Sequence, residues 1–260
     1  MAAKVIVRAV SGIIFLLMIS PNVHATHAWN NYHWARSENP IPLTVVDSVT
    51  GDWQSEFETS IDEWNFSTAL DLSPGAADDA SRTRKQCKAV AGQIRVCNAA
   101  YGFNLWLGMA SINLDSNGHI TKGTAKVNDS YASYWDDPYE KRHVMCQETG
   151  HLFGLGHTSE DGSSQRTCMD YSSDPASISP NQHDYDLLAN IYAHLDSIDD
   201  GTVSDPKPCR GRKCPNFGEP EIPPMGLRVH KGQNHEIWVA RGRADTLWIH
   251  HVRLVPEEYR

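Results

Sequence analysis

The sequence predicts an α/β (α+β) fold: a twisted mixed sheet, mostly parallel with an antiparallel edge, helices beneath it, and a small β-rich C-terminal region. Three observations lead there. An apolar, β-branched run at 42–47 is followed by Trp53, Phe57, Ile61 and Trp64 at spacings of 4, 4 and 3, a strand leading into an amphipathic helix. Alternating runs at 105–114 and 119–127 flank Asp115-Ser116-Asn117-Gly118, whose Asn-Gly pair is a hairpin turn signal. Asp137 and Pro138 then stand as N-cap and first position of a helix running to about Gly154.

The remaining elements follow in chain order. Residues 1–25 read as an export signal: Lys4 and Arg8 precede the apolar stretch 13–19, Pro21 breaks it, and Val23-His24-Ala25 suits cleavage. That stretch is shorter than the roughly 20 residues a membrane-spanning helix needs, so removal and secretion are expected. Residues 69–72 and 94–97 are strand candidates, and the polar segment 74–86 reads as a surface loop. Ser179-Pro180 signals a helix start before 184–195, where Tyr185, Leu188, Ile191, Tyr192 and Leu195 make an apolar face. A proline-rich linker spans 201–225, and short alternating strands at 227–229, 237–239 and 247–249 lie beyond it. The domains expected are therefore a main unit at 26–200, the linker, and a β-rich appendage at 226–260.

Removing residues 1–25 takes Lys4 and Arg8 with no acidic residue, so the formal charge moves from −9 to −11. An acidic balance without basic clusters argues against nucleic acid and anionic membranes as partners. The mature chain is read as a monomer free of the membrane. Six cysteines in an exported chain should pair, although six allow 15 connectivities. Cys87 with Cys97 and Cys209 with Cys214 close short loops. Cys146 with Cys168 then ties the 138–154 helix to the segment carrying Met169.

Gln147 and His151 lie four apart, so both project from one face of that helix. Gly154 can end the helix and reverse the chain, which returns His157 to the same point. Three ligands converging this way leave a fourth position open for water, as a catalytic zinc requires. Glu148 stands beside them as a base for that water. The run from Gln147-Glu148-Thr149-Gly150-His151 to Gly154-Leu155-Gly156-His157 resembles the metzincin signature, with Gln147 in place of the first histidine. Cys168-Met169-Asp170-Tyr171 is similar to the family's Met-turn.

The resemblance covers residues 35–198 and is to secreted bacterial matrixin-like proteins. It implies a metzincin-like catalytic domain with an active-site helix, a Zn2+ cofactor and metalloendopeptidase activity. It further implies Met169 as the apolar floor under the metal and Tyr171 as an oxyanion donor or fifth ligand. A substrate strand would add to the 105–127 hairpin region.

An amide oxygen at Gln147 binds zinc more weakly than imidazole, so three readings stay open: an active peptidase, a pseudopeptidase that binds peptides or a partner, or a site for another divalent ion. His143 lies eight residues before His151, about 12 Å along the helix, and is too far to share one zinc. His183, His194, His250 and His251 read as surface or packing residues. Asp115, Asp136 and Asp137 are candidates for a structural Ca2+, with capping and turn formation as the plainer alternative. No cysteine precedes Cys87 in the mature chain, so latency through an N-terminal cysteine segment is not expected.

Overall fold

The computed structural model describes residues 27–196, 225–243 and 245–260. The expected export signal, most of the expected linker and the expected Cys209–Cys214 disulfide lie outside these residues. The elements are β1 (His33–Trp34), β2 (Ile41–Ser48), α1 (Gly51–Trp64), β3 (Leu70–Pro74), α2 (Ser81–Gln86), β4 (Gln93–Ala99) and β5 (Trp106–Leu114). They continue with β6 (His119–Asn128), α3 (Pro138–His151), α4 (Gln182–Ile191), β7 (Leu227–Lys231), β8 (His235–Arg241) and β9 (Leu247–Leu254). No helix among the described residues is long and apolar enough to cross a membrane.

All nine strands form one sheet in the order β3-β2-β4-β6-β5-β9-β8-β7, with β1 pairing the start of β6. Pairs from β3 to β6, and β1 with β6, are parallel; every pair from β6 through β5, β9 and β8 to β7 is antiparallel. The sheet is thus half parallel and half antiparallel, rather than mostly parallel. The difference comes from the C-terminal strands. β9 pairs with β5 along its whole length, from Trp106↔Leu254 to Leu114↔Leu247. An unpaired β5 would expose a long row of N–H and C=O groups, and the C-terminal region covers them. Residues 226–260 therefore extend the main sheet instead of forming a separate appendage.

The first helix forms as its spacing predicts, burying Trp53, Phe57, Ile61 and Trp64. Trp64 is fully buried and its indole N–H donates to the Cys146 carbonyl at 3.2 Å. Truncating such a side chain costs about 3–5 kcal/mol. Asp137 caps α3 by accepting from the Tyr139 N–H at 2.8 Å, with Pro138 first in the helix. α3 passes through the core, and Gly150 lets it do so. A Cβ there would lie 2.6 Å from Met169 Sδ and 2.7 Å from the Trp64 ring.

Two local expectations change. The 74–86 segment contains the short helix α2, which ends with Cys87 in the left-handed region at φ 46°. The last helix is capped by Asn181, whose side chain and that of Asp184 satisfy each other's backbone N–H groups, so it starts at Gln182. Two of the three expected disulfides lie among the described residues: Cys87–Cys97, between α2 and β4, and Cys146–Cys168, between α3 and the Met169 segment. The carboxylates of Asp115 and Asp137 accept backbone N–H groups at turn and cap, which is the plainer of their two expected roles.

Candidate metal centre

The last turn of α3 carries Gln147, Glu148 and His151, all fully buried. Beyond it Gly154 adopts φ 95°, where a side chain is strained. A Cβ at Gly154 would also lie 1.8 Å from the Tyr32 carbonyl oxygen. The chain reverses there and is held by the N-terminal segment: Trp29 N–H donates to the Gly154 carbonyl and Gly156 N–H to the His27 carbonyl. This strap returns His157 to His151, with their Nε2 atoms 3.2 Å apart.

The third member of the cluster is His251, on β9. Ligand nitrogens of His151, His157 and His251 all lie within 4.8 Å of one another. The His251 ring centroid is 4.0 Å from that of His151 and 4.4 Å from that of His157. Gln147 is not in this position. Its Nε2 donates to the carbonyls of Cys168 and Asp170, at 3.0 and 2.8 Å, and its Oε1 accepts from Arg253 Nη1 at 2.8 Å. An oxygen already facing a guanidinium is a poor site for a dication, because the two positive charges repel. Gln147 instead braces the 168–170 segment, and His143 Nε2 bonds the same two carbonyls at 3.1 and 2.9 Å. The structure thus turns the Gln147 oxygen toward Arg253, and His251 stands beside the histidine pair instead.

The donor set fits a zinc ion. Tetrahedral Zn–N bonds of about 2.0–2.1 Å place neighbouring ligand atoms about 3.3 Å apart, close to the His151–His157 separation. His151 Nδ1 lies 2.8 Å from the Leu155 carbonyl, which can only accept, so the Nε2 lone pair faces His157. Burial holds His151 down to about 3 and His157 and His251 well below the ordinary histidine range, with neighbouring histidines adding to it. Neutral imidazole is the form a metal needs.

Glu148 lies against β5, with no side-chain hydrogen-bond partner and only the Ala110 backbone N–H beside its carboxyl. Burial pushes that carboxyl up to about 8. A carboxyl held in that range can take up and release a proton near neutral pH. The Tyr171 hydroxyl is buried without a partner, and its ring centroid lies 4.3 Å from that of His157. Met169 is fully buried beneath α3. The structure therefore brings Glu148, His151, His157, Met169 and Tyr171 to one place. Arg253 sits beside them, 5.2 Å from the Tyr171 ring centroid and 3.4 Å from Glu140.

His251 and Arg253 are the residues that sequence reasoning passed over. The paired His250-His251 on an alternating run carries part of the signal, because neighbours on a strand face opposite sides. His250 binds Ser111 Oγ at 2.8 Å, and His251 faces the cluster. The pairing Ala110↔His251 that places it there joins segments far apart in the chain. A cleft of about 440 Å³, bordered by His27, Trp29, His157, His235 and His251, opens the cluster outward.

Comparison with known proteins finds no matching family model and no significantly similar curated protein. The chemistry of the site thus rests on the residues themselves.

Proposed function

We propose that this chain is a secreted zinc-dependent endopeptidase of metzincin kind, with the metal held by His151, His157 and His251. The observation that carries this reading is the convergence of three neutral imidazoles beside the buried carboxyl of Glu148, which has no side-chain hydrogen-bond partner. Bound zinc would lower the pKa of a water and polarise the scissile carbonyl. Glu148 accepts that water's proton and passes it to the leaving amine. The Tyr171 hydroxyl faces the same space and donates to the developing oxyanion. Met169, wedged under α3, keeps the histidine frame rigid. The two disulfides are compatible with an oxidising, extracellular setting.

One observation favours a second reading. β9 lies along β5, where an added substrate strand was expected, and Arg253 from the same strand occupies Gln147. Because β9 also supplies His251, it must stay in place: either polypeptide reaches the metal through the cleft bordered by Trp29, His157 and His235, or the site holds metal without turnover as a pseudopeptidase. The deciding experiment measures zinc content and cleavage of an unstructured protein by the parent chain and by Glu148→Ala. Hydrolysis by the parent that is lost in Glu148→Ala, with zinc retained in both, supports the peptidase. Zinc without hydrolysis supports the pseudopeptidase, and a zinc-free chain removes both.

A further inference from the structure

A second group of histidines lies away from this centre, at the start of β6. The parallel register of β1 with β6 sets His33 opposite His119. Past the end of α4 the chain brings in His194 and Asp196 and is latched there by buried Arg36. Arg36 N–H donates to Asp196 Oδ2 at 3.0 Å, its Nε to the His194 carbonyl at 2.7 Å, and Asp196 N–H to the Arg36 carbonyl at 2.9 Å. Asp196 Oδ1 is left facing three imidazoles, with the Nε2 atoms of His194, His119 and His33 at 3.2, 3.5 and 3.6 Å.

Those separations match the edge of a tetrahedral zinc site, about 3.3 Å for metal–ligand bonds near 2.0–2.1 Å. The orientation of the rings agrees. His33 Nδ1 donates to the Asn31 carbonyl at 2.8 Å, which aims Nε2 inward, and His119 Nδ1 is turned toward Asp115 at 3.5 Å. Metal-bound histidines are commonly fixed through their other nitrogen in this way. His33 Nε2 is buried and has no hydrogen-bond partner, although the His33 side chain is only 9% exposed. Ligand atoms of His33, His194 and Asp196 all lie within 4.8 Å of one another.

We propose that His33, His194 and Asp196 hold a second, structural zinc ion, with His119 facing the Asp196 carboxylate beside it. Two imidazoles with one carboxylate favour zinc over calcium or magnesium, which take oxygen donors. Its ligands come from β1 and the chain after α4, so the ion would pin two distant segments. The site needs neither Glu148 nor His251 and stands whether or not the first centre turns over substrate.

The test counts zinc per chain by elemental analysis of the full mature protein, stripped with chelator, reloaded and dialysed, with circular dichroism to check folding. Two equivalents are expected in the parent. His194→Asn, at a half-exposed position, and Asp196→Asn should each lose one equivalent while His251→Ala loses the other. Cobalt substitution should show the absorption of a tetrahedral site in His251→Ala and lose it when His194→Asn is added. A folded His194→Asn chain that keeps the parent zinc content, or a His251→Ala chain with no tetrahedral cobalt signal, overturns the second site. If His251→Ala keeps both equivalents, the first centre is wrong and the second survives.

Discussion

Gly108 on β5 faces the carboxylate of Glu148, and a double-mutant cycle at this pair tests how tightly that side chain is positioned. A Cβ at Gly108 would lie 2.3 Å from Glu148 Oε1, 2.7 Å from Cγ and 2.8 Å from Cδ. Glu148 is fully buried, so its side chain has no solvent to retreat into. Overpacking of this kind costs about 1–3 kcal/mol. At about 2–4 °C per kcal/mol for a chain of this size, Gly108→Ala should lower Tm by about 4–8 °C at a cost near 2 kcal/mol. In a Glu148→Ala background the clash disappears, and the added methyl should be neutral or slightly stabilising through the unfolded chain. A coupling of about 2 kcal/mol is therefore expected. Thermal unfolding by circular dichroism, in chelator so that metal content does not intrude, measures all four chains. An equal Tm loss in both backgrounds would refute the placement of Glu148 against β5.

Arg253 links Gln147 Oε1 to Glu140, and both partners are buried. Arg253→Met should cost about 3–5 kcal/mol in urea unfolding, because it strands a buried carboxylate. Arg253→Lys should not restore it, since one ammonium does not span both acceptors; a loss below 1 kcal/mol would contradict the linkage. Lys126 is held down to about 8 by burial. The folded state then binds fewer protons than the unfolded chain between that value and the ordinary lysine range, so stability should rise as pH climbs from about 8 to about 10. Lys126→Met should flatten that rise and gain about 1 kcal/mol near pH 7. Urea midpoints at three pH values check it, and identical pH slopes in both chains would dismiss the idea.

Local chemistry made much of this fold legible. The Trp53–Trp64 stripe, the Asn117-Gly118 turn and the Asp137-Pro138 start each act within a few residues, and each element forms where its signal lies. The convergence of His151 and His157 was equally local, because Gly154 sets the reversal between them. What escaped was non-local. Nothing near Gln147 reveals that Arg253 will claim its oxygen, and nothing near His251 reveals that β9 will pair with β5. Sheet order beyond a hairpin depends on which exposed edge a distant segment covers, and that choice put His251 of β9, rather than Gln147 of α3, beside the histidine pair. The same limit hid the group around Asp196, whose histidines come from three separated segments.

Zinc affinity in two variants tests the central assignment most directly: His251→Ala and Gln147→Met, compared by competition with a chromophoric chelator in a His194→Asn background that isolates one centre. Structural zinc sites bind with about 10–16 kcal/mol, so losing one of four ligands removes about 3 kcal/mol, roughly a hundredfold in affinity. His251→Ala should show that loss, and Gln147→Met should stay within about tenfold of the parent, as expected for a residue that only braces neighbouring groups. A hundredfold loss in Gln147→Met with near-parental binding in His251→Ala would return the ligand role to α3 and contradict the site described.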